Sequence, residues 1–257
     1  MRRPLWISLA VVLVVTLGAL TWLSFRSNEP AFQGKSLTAW LQERRVGPSQ
    51  EAENATRQIG TNALPTLLKM VIEANSPDQE ALLGLARRQS ELAFDFYDAD
   101  EDHNLAPLGF FVLGPTGKGA VTALTNLVTD PNPIVRRTAI ACLGSIGPAA
   151  QDAVPALIPA ITDFLQPQVQ ATAKFALGAI HAQAAIAVPA LTNSLSVRGK
   201  SSRLLALSAL GKFGVEAKVA VPVLLPLLND PDLDMRSATS NALKMIDPEA
   251  AIEAGVK

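Results

Sequence analysis

Residues 130–157 read DPNPIVRRTAIACLGSIGPAAQDAVPAL, and the two halves of this stretch do different work. In the first, Val135, Ala139, Cys142, Leu143 and Ile146 recur at three- and four-residue steps, laying one apolar stripe along a helix. Gly147-Pro148 ends that helix, because glycine accepts the left-handed conformation that closes a helix and proline cannot continue one. The second half restarts near Pro155, tolerated in a first turn because the N–H it lacks would find no partner there. Ile158 and Ile161 continue the apolar face of this second helix. Asp130-Pro131 in front of the pair is turn chemistry, and Asp230-Pro231 repeats it further on.

Outward from this stretch the chain repeats itself. Val154-Pro155-Ala156-Leu157 returns as Val188-Pro189-Ala190-Leu191 and Val221-Pro222-Val223-Leu224, at steps of 34 and 33 residues. Leu143-Gly144, Leu177-Gly178 and Leu210-Gly211 keep the same steps, and Leu243 follows 33 later with Lys244 in the glycine slot. Two markers in one phase define stacked two-helix units. Upstream, Val121 and Gly114-Pro115 lie 33 residues before Val154 and Gly147-Pro148, so one more unit precedes. Ile59-Gly60 followed by Ala63-Leu64-Pro65-Thr66-Leu67 places a first hairpin over residues 51–72. The period breaks at residues 77–104, where Leu82, Leu85, Leu92 and Phe96 point to a helix running into an acidic stretch.

The order Asp-Pro, Val-Arg, Ala, Leu-Gly and Val-Pro-Ala-Leu resembles the HEAT repeat family, most closely over residues 130–157. The resemblance implies an all-α fold: a right-handed α-solenoid of HEAT-like helical hairpins, an armadillo-like superhelix over residues 49–257, with about five hairpins and a C-terminal cap. It also implies a non-catalytic protein that holds a protein partner on a concave face lined by the second helices. Gln166-Pro167 and Gln170 stand where the aspartate and arginine of a unit are expected, and Ser202-Arg203 opens the next, which interrupts any aspartate–arginine ladder. Gln33-Gly34-Lys35-Ser36-Leu37-Thr38-Ala39-Trp40-Leu41 resembles an opening found before some bacterial HEAT-type proteins. Some similar short repeats belong to the bilin lyase group, so an accessory role of that kind is the alternative, although the sequence displays no polar set for a chromophore cleft.

Ahead of the repeats, residues 4–25 form a run of 22 without a charge. As a helix it spans about 33 Å, close to a bilayer's hydrocarbon core. Trp6 and Trp22 lie near its ends and Arg2-Arg3 precede it, so residues 1–26 read as a single-pass transmembrane anchor with the N-terminus cytoplasmic. Residues 27–48 then form a juxtamembrane segment with a short helix, and the solenoid lies outside the cytoplasm, in the periplasm of a Gram-negative cell. Cleavage of the segment as a signal peptide would make the protein secreted; Thr16 and Gly18 are a poor small-residue pair for it.

Hydrophobic residues make up 49% of the 257, aromatics 5%, and the net charge is -1. That balance argues against nucleic acid, whose phosphates need many neutralising cations. A single cysteine, Cys142, allows no intrachain disulfide. Asp98, Asp100 and Asp102 copy the first ligand spacings of a calcium loop, but His103 and Gly109 stand where its glycine and bidentate glutamate belong, so a solvated acidic linker is the plainer reading and a loose calcium-responsive site the other. Only two histidines, His103 and His181, are present, too few for a histidine metal triad; His181 sits at a helix end, where a capping charge is usual. Gly114-Pro115-Thr116-Gly117-Lys118-Gly119 lacks the spacing of a phosphate loop and aligns with the turn inside a hairpin. Arg198, Lys200 and Arg203 form a basic cluster at an inter-unit turn, read as a solubilising face. No cofactor and no catalytic residue is expected.

Overall fold

The computed structural model describes residues 29–73, 105–163, 165–196 and 199–256. The acidic stretch 77–104 and the apolar run 4–25 lie outside the described residues. Among the described residues, no helix is long and apolar enough to cross a membrane.

The described chain starts with two short strands, β1 (Ala31–Phe32) and β2 (Lys35–Ser36), which pair antiparallel across Gln33-Gly34. Both turn residues have positive φ, 50° and 75°, as a two-residue hairpin turn matched to strand twist requires. Strand formers are scarce in this sequence, and this hairpin adds a small β element to the expected all-α fold. Ser36 then caps α1 (Leu37–Val46) by accepting from the Ala39 N–H. The Trp40 indole donates back to the Phe32 carbonyl at 3.2 Å while the Lys35 ammonium lies 4.0 Å over its ring. The Gly-Lys-x-Leu-x-x-Trp-Leu opening is thus a folded cap, with Leu37 and Leu41 fully buried beneath it.

The hairpins follow. Their first helices are α2 (Gln50–Ile59), α4 (Ala106–Leu113), α6 (Pro133–Ile146), α8 (Pro167–Ile180), α10 (Lys200–Lys212) and α12 (Leu233–Ile246). Their second helices are α3 (Leu64–Ile72), α5 (Val121–Leu127), α7 (Val154–Ala160), α9 (Ala184–Asn193), α11 (Val221–Leu224) and the terminal α13 (Pro248–Glu253). Successive first helices pack side by side from α4 to α12, and α4 packs directly on α2 and α3, so the stack runs on across the break in the period. One continuous core results. Leu67, Leu124, Leu157, Leu191 and Leu224 anchor the first five of these second helices in register, each fully buried.

The Leu-Gly marker has a steric cause. A Cβ on Gly144 would lie 3.0 Å from the Ala176 Cα, and one on Gly178 3.1 Å from the Ala209 Cα, so neighbouring first helices approach backbone to backbone. Cys142, Ala176, Ala209 and Ala242 occupy the facing small-residue slot and are all buried. On α12, Lys244 takes the glycine position and Ser240 the position that Ile140 and Leu207 hold in earlier units, so this helix presents polar side chains where the others present small or apolar ones.

Two details correct the sequence reading. Pro189 does not open its helix: α9 begins five residues earlier, at Ala184, and carries the proline inside. Units with Gly114, Gly147 or Gly214 after the first helix make a seven-residue 3-10 turn before the second. In this unit the glycine slot holds His181, left-handed at φ 46°, and Gln183 is left-handed as well, so the chain turns through two strained residues straight into α9. The second correction concerns Asp163. It, and not Gln166, supplies the unit's aspartate: its Oδ1 accepts from Leu165 N–H two residues on, as Asp130 does from Asn132 and Asp230 from Asp232.

Candidate interaction surface

The second helices show one exposed row on the proline of the tetrapeptide and another four residues later, one helical turn apart. Thr122, Pro155, Pro189 and Pro222 form the first row; Asn126, Pro159, Asn193 and Pro226 form the second, and all eight are exposed. With Ala123, Ile186 and Val223 beside them, α5, α7, α9 and α11 present a surface without a single charge. Burial of the Leu and Val positions decides which positions face water; that none of these carries a charge is a property of the composition of the four helices. The first and last second helices depart from it, α3 with Lys69 and α13 with Glu249 and Glu253.

Charges are gathered instead on the inter-unit turns. Asn132 caps α6 by accepting from Ile134 N–H at 2.9 Å, and Asp232 caps α12 in the same manner. The arginine of Val-Arg reaches back over the turn that precedes it: Arg136 Nη1 donates to the carbonyls of Asp130 and Pro131 at 2.8 and 3.1 Å, and Arg236 does the same for Asp230 and Pro231 at 2.8 and 3.0 Å. Arginine also links units, Arg136 to Asp163 at 3.7 Å and Arg203 to Asp230 at 3.0 Å. The ladder is interrupted between these rungs at Gln170, whose Oε1 accepts from the Ser202 hydroxyl at 2.8 Å.

Of the basic cluster, Arg198 lies outside the described residues, and the other two are rungs and not a free cationic face. Lys200 bonds Asp232 and Asp234 at 2.7 and 2.6 Å, and these carboxylates raise its pKa. The Lys200 bond in turn lowers the Asp232 carboxyl, while that of Asp230 is lowered first by the Asp232 N–H and then by Arg203. A cleft of about 520 Å³ opens here, lined by Leu195, Gly199, Lys200, Arg203, Asp230 and Met235. Its opposite charges are paired with one another, which leaves little field for a charged ligand.

Asp98, Asp100, Asp102 and His103 lie outside the described residues. Among the described residues, no group of three or more His, Cys, Asp or Glu converges to hold a metal ion. His181 stands 3.6 Å from Glu216 and 5.1 Å from the Phe213 ring, far along the chain from Cys142, which is buried in the small-residue slot. Gly114–Ala120 is a 3-10 turn within a hairpin. Lys174 went unnoticed in the sequence although the register exposes it: 34 residues after Ile140 and 33 before Leu207, it puts an ammonium at an apolar position.

Residues 120–200 match the family model of HEAT repeats. They run from the end of one intra-hairpin turn to the first residue of α10 and contain the two units in which the markers are most regular. A search of curated proteins finds no match. Among solved structures, the chain is similar to a crystallised engineered protein at 19% identity, covering 85% of this chain and 97% of that one with a TM-score of 0.43. A second engineered protein is 20% identical, with 85% and 67% covered and a TM-score of 0.47. A designed armadillo repeat protein is 18% identical, with 82% and 100% covered and a TM-score of 0.44.

Proposed function

We propose that this chain is a non-catalytic scaffold that holds a protein partner on the charge-free surface of α5, α7, α9 and α11, and that residues 4–25 tether it to a membrane with the solenoid on the extracytoplasmic side. One observation carries the reading: four successive second helices expose prolines, alanines, asparagines and aliphatic side chains in register and no charge, while several arginines and aspartates nearby pair across the inter-unit turns. Such a surface suits the centre of a protein interface, where charged residues are depleted, and offers nothing to a polyanion. Backbone strain is spent on turns, not gathered around a cleft with reactive groups, which favours binding over catalysis.

The test is capture of crosslinked partners by the full-length chain from its native membranes, compared with a variant carrying Thr122→Lys, Asn193→Lys and Val223→Lys. All three positions are exposed, so the fold and its melting temperature are expected to stand. Loss of a discrete crosslinked partner in the variant supports the proposal. Equal capture by both proteins overturns the assignment of the surface, and a chain that stays soluble when membranes are washed and sedimented overturns the tether.

A further inference from the structure

In the register of the stack, Ile140, Lys174, Leu207 and Ser240 are equivalent, and so are Val135, Val169, Ser202 and Met235. Ile140 and Leu207 are fully buried, as are Val135, Val169 and Met235 to within a few per cent, and Ser240 on α12 is half-buried. At the joint between α8 and α10 alone, both members of this packing pair are polar. Lys174 is 0% exposed; its ammonium donates to the Ser202 hydroxyl and, at 3.5 Å, to the Ser202 carbonyl, and the Ser202 hydroxyl donates to Gln170 Oε1 at 2.8 Å. We propose that this joint is a hinge controlled by protonation of Lys174, at which residues 200–256 part from the preceding units when the amine is charged and close on them when it is neutral.

The charged groups on the elements packed against α8 are Arg136 and Arg137 of α6, Asp152 in the turn before α7, and Lys200, Arg203 and Lys212 of α10, with His181 and Glu216 at its far end. The carboxylates at this edge are engaged elsewhere: Asp163 by Arg136, Asp230 by Arg203, Asp232 by Lys200. Lys174 bonds only to neutral oxygens, which offset the loss of hydration of its ammonium only in part, with no carboxylate against it. The same burial brings its pKa down from 10.5 to about 8. An open joint hydrates the amine and restores the ordinary value. Protonation therefore favours the open form: the joint is loosest below pH 8 and tightens as pH rises from 8 towards 10.5.

Amide hydrogen exchange on the full-length chain, corrected for intrinsic rates at each pH, reads this directly. Between pH 6.5 and 9.5 the opening constant of the α8/α10 joint is expected to fall on the order of 30-fold, while that of the α6/α8 joint, with Ile140 in the equivalent place, stays level. Lys174→Met, and Lys174→Met combined with Ser202→Val to restore an apolar pair, are expected to abolish the pH dependence; His181→Asn is expected to keep it. An α8/α10 opening constant that does not change with pH, or one that changes equally in either Lys174 variant, overturns the proposal.

Discussion

Lys174 shows how one residue can oppose the fold that holds it. Its folded pKa is depressed to about 8, so the unfolded chain binds more protons between pH 8 and 10.5 and stability rises with pH across that window; below pH 8 the whole penalty is present. A depression of this size corresponds to about 3 kcal/mol of unfavourable burial at neutral pH. Lys174→Met removes the charge and leaves an unbranched apolar side chain one heavy atom shorter. It is expected to raise the stability at pH 7 by about 2 kcal/mol, the remainder being lost with the Ser202 hydrogen bond, and to flatten stability between pH 7 and 10. The urea midpoint at pH 7 and pH 10 measures both. At the same scale, the aspartate turn was partly legible. Asp130-Pro131 and Asp230-Pro231 announce themselves by the proline, whereas Asp163, followed by Phe164, hides the same hydrogen bond behind a different neighbour.

At the scale of elements, the stack is held by close approach of the first helices. The Leu-Gly marker names the place where this happens, but its reason is visible only in the packed pair: the Ala176 backbone occupies the space that any Gly144 side chain needs. Gly144→Val must force α6 and α8 apart or bend them, and is expected to cost about 1–3 kcal/mol, read as a lower melting temperature with the helical content of the folded state unchanged. Phe111 occupies the same slot on α4 in the register and is 63% exposed there. The start of α9 was not legible. Val188-Pro189 has the same local signature as Val154-Pro155, and the difference arises seven residues earlier, where His181 replaces glycine and removes the 3-10 turn that would have delayed the helix.

For the whole molecule, the caps and inter-unit pairs set the acid limit. Glu43, lowered by its bond from Lys35, Glu53 by Arg44, Asp230 by the Asp232 N–H, Asp232 by Lys200 and Asp247 by Lys218 all titrate below their ordinary values. For depressed carboxyls the stabilisation is present above the unfolded values, 3.8 for aspartate and 4.5 for glutamate, and is lost as pH falls through the folded ones. The melting temperature is expected to hold from pH 7 to 5 and to decline gradually below about pH 4, with salt weakening these exposed pairs; calorimetry across pH 3–7 checks it. By itself the sequence determined the stack, because a hydrophobic period that recurs every 33 or 34 residues can be buried only by laying identical hairpins side by side. It determined the uncharged second helices too, since their composition is local. Tertiary structure alone decided which charges face one another, that a left-handed histidine moves a helix start, and that Lys174 and Ser202 meet. Residues 28 apart in the chain become neighbours only when one unit is set upon the next, and the cost of burying an ammonium exists only once its water is gone.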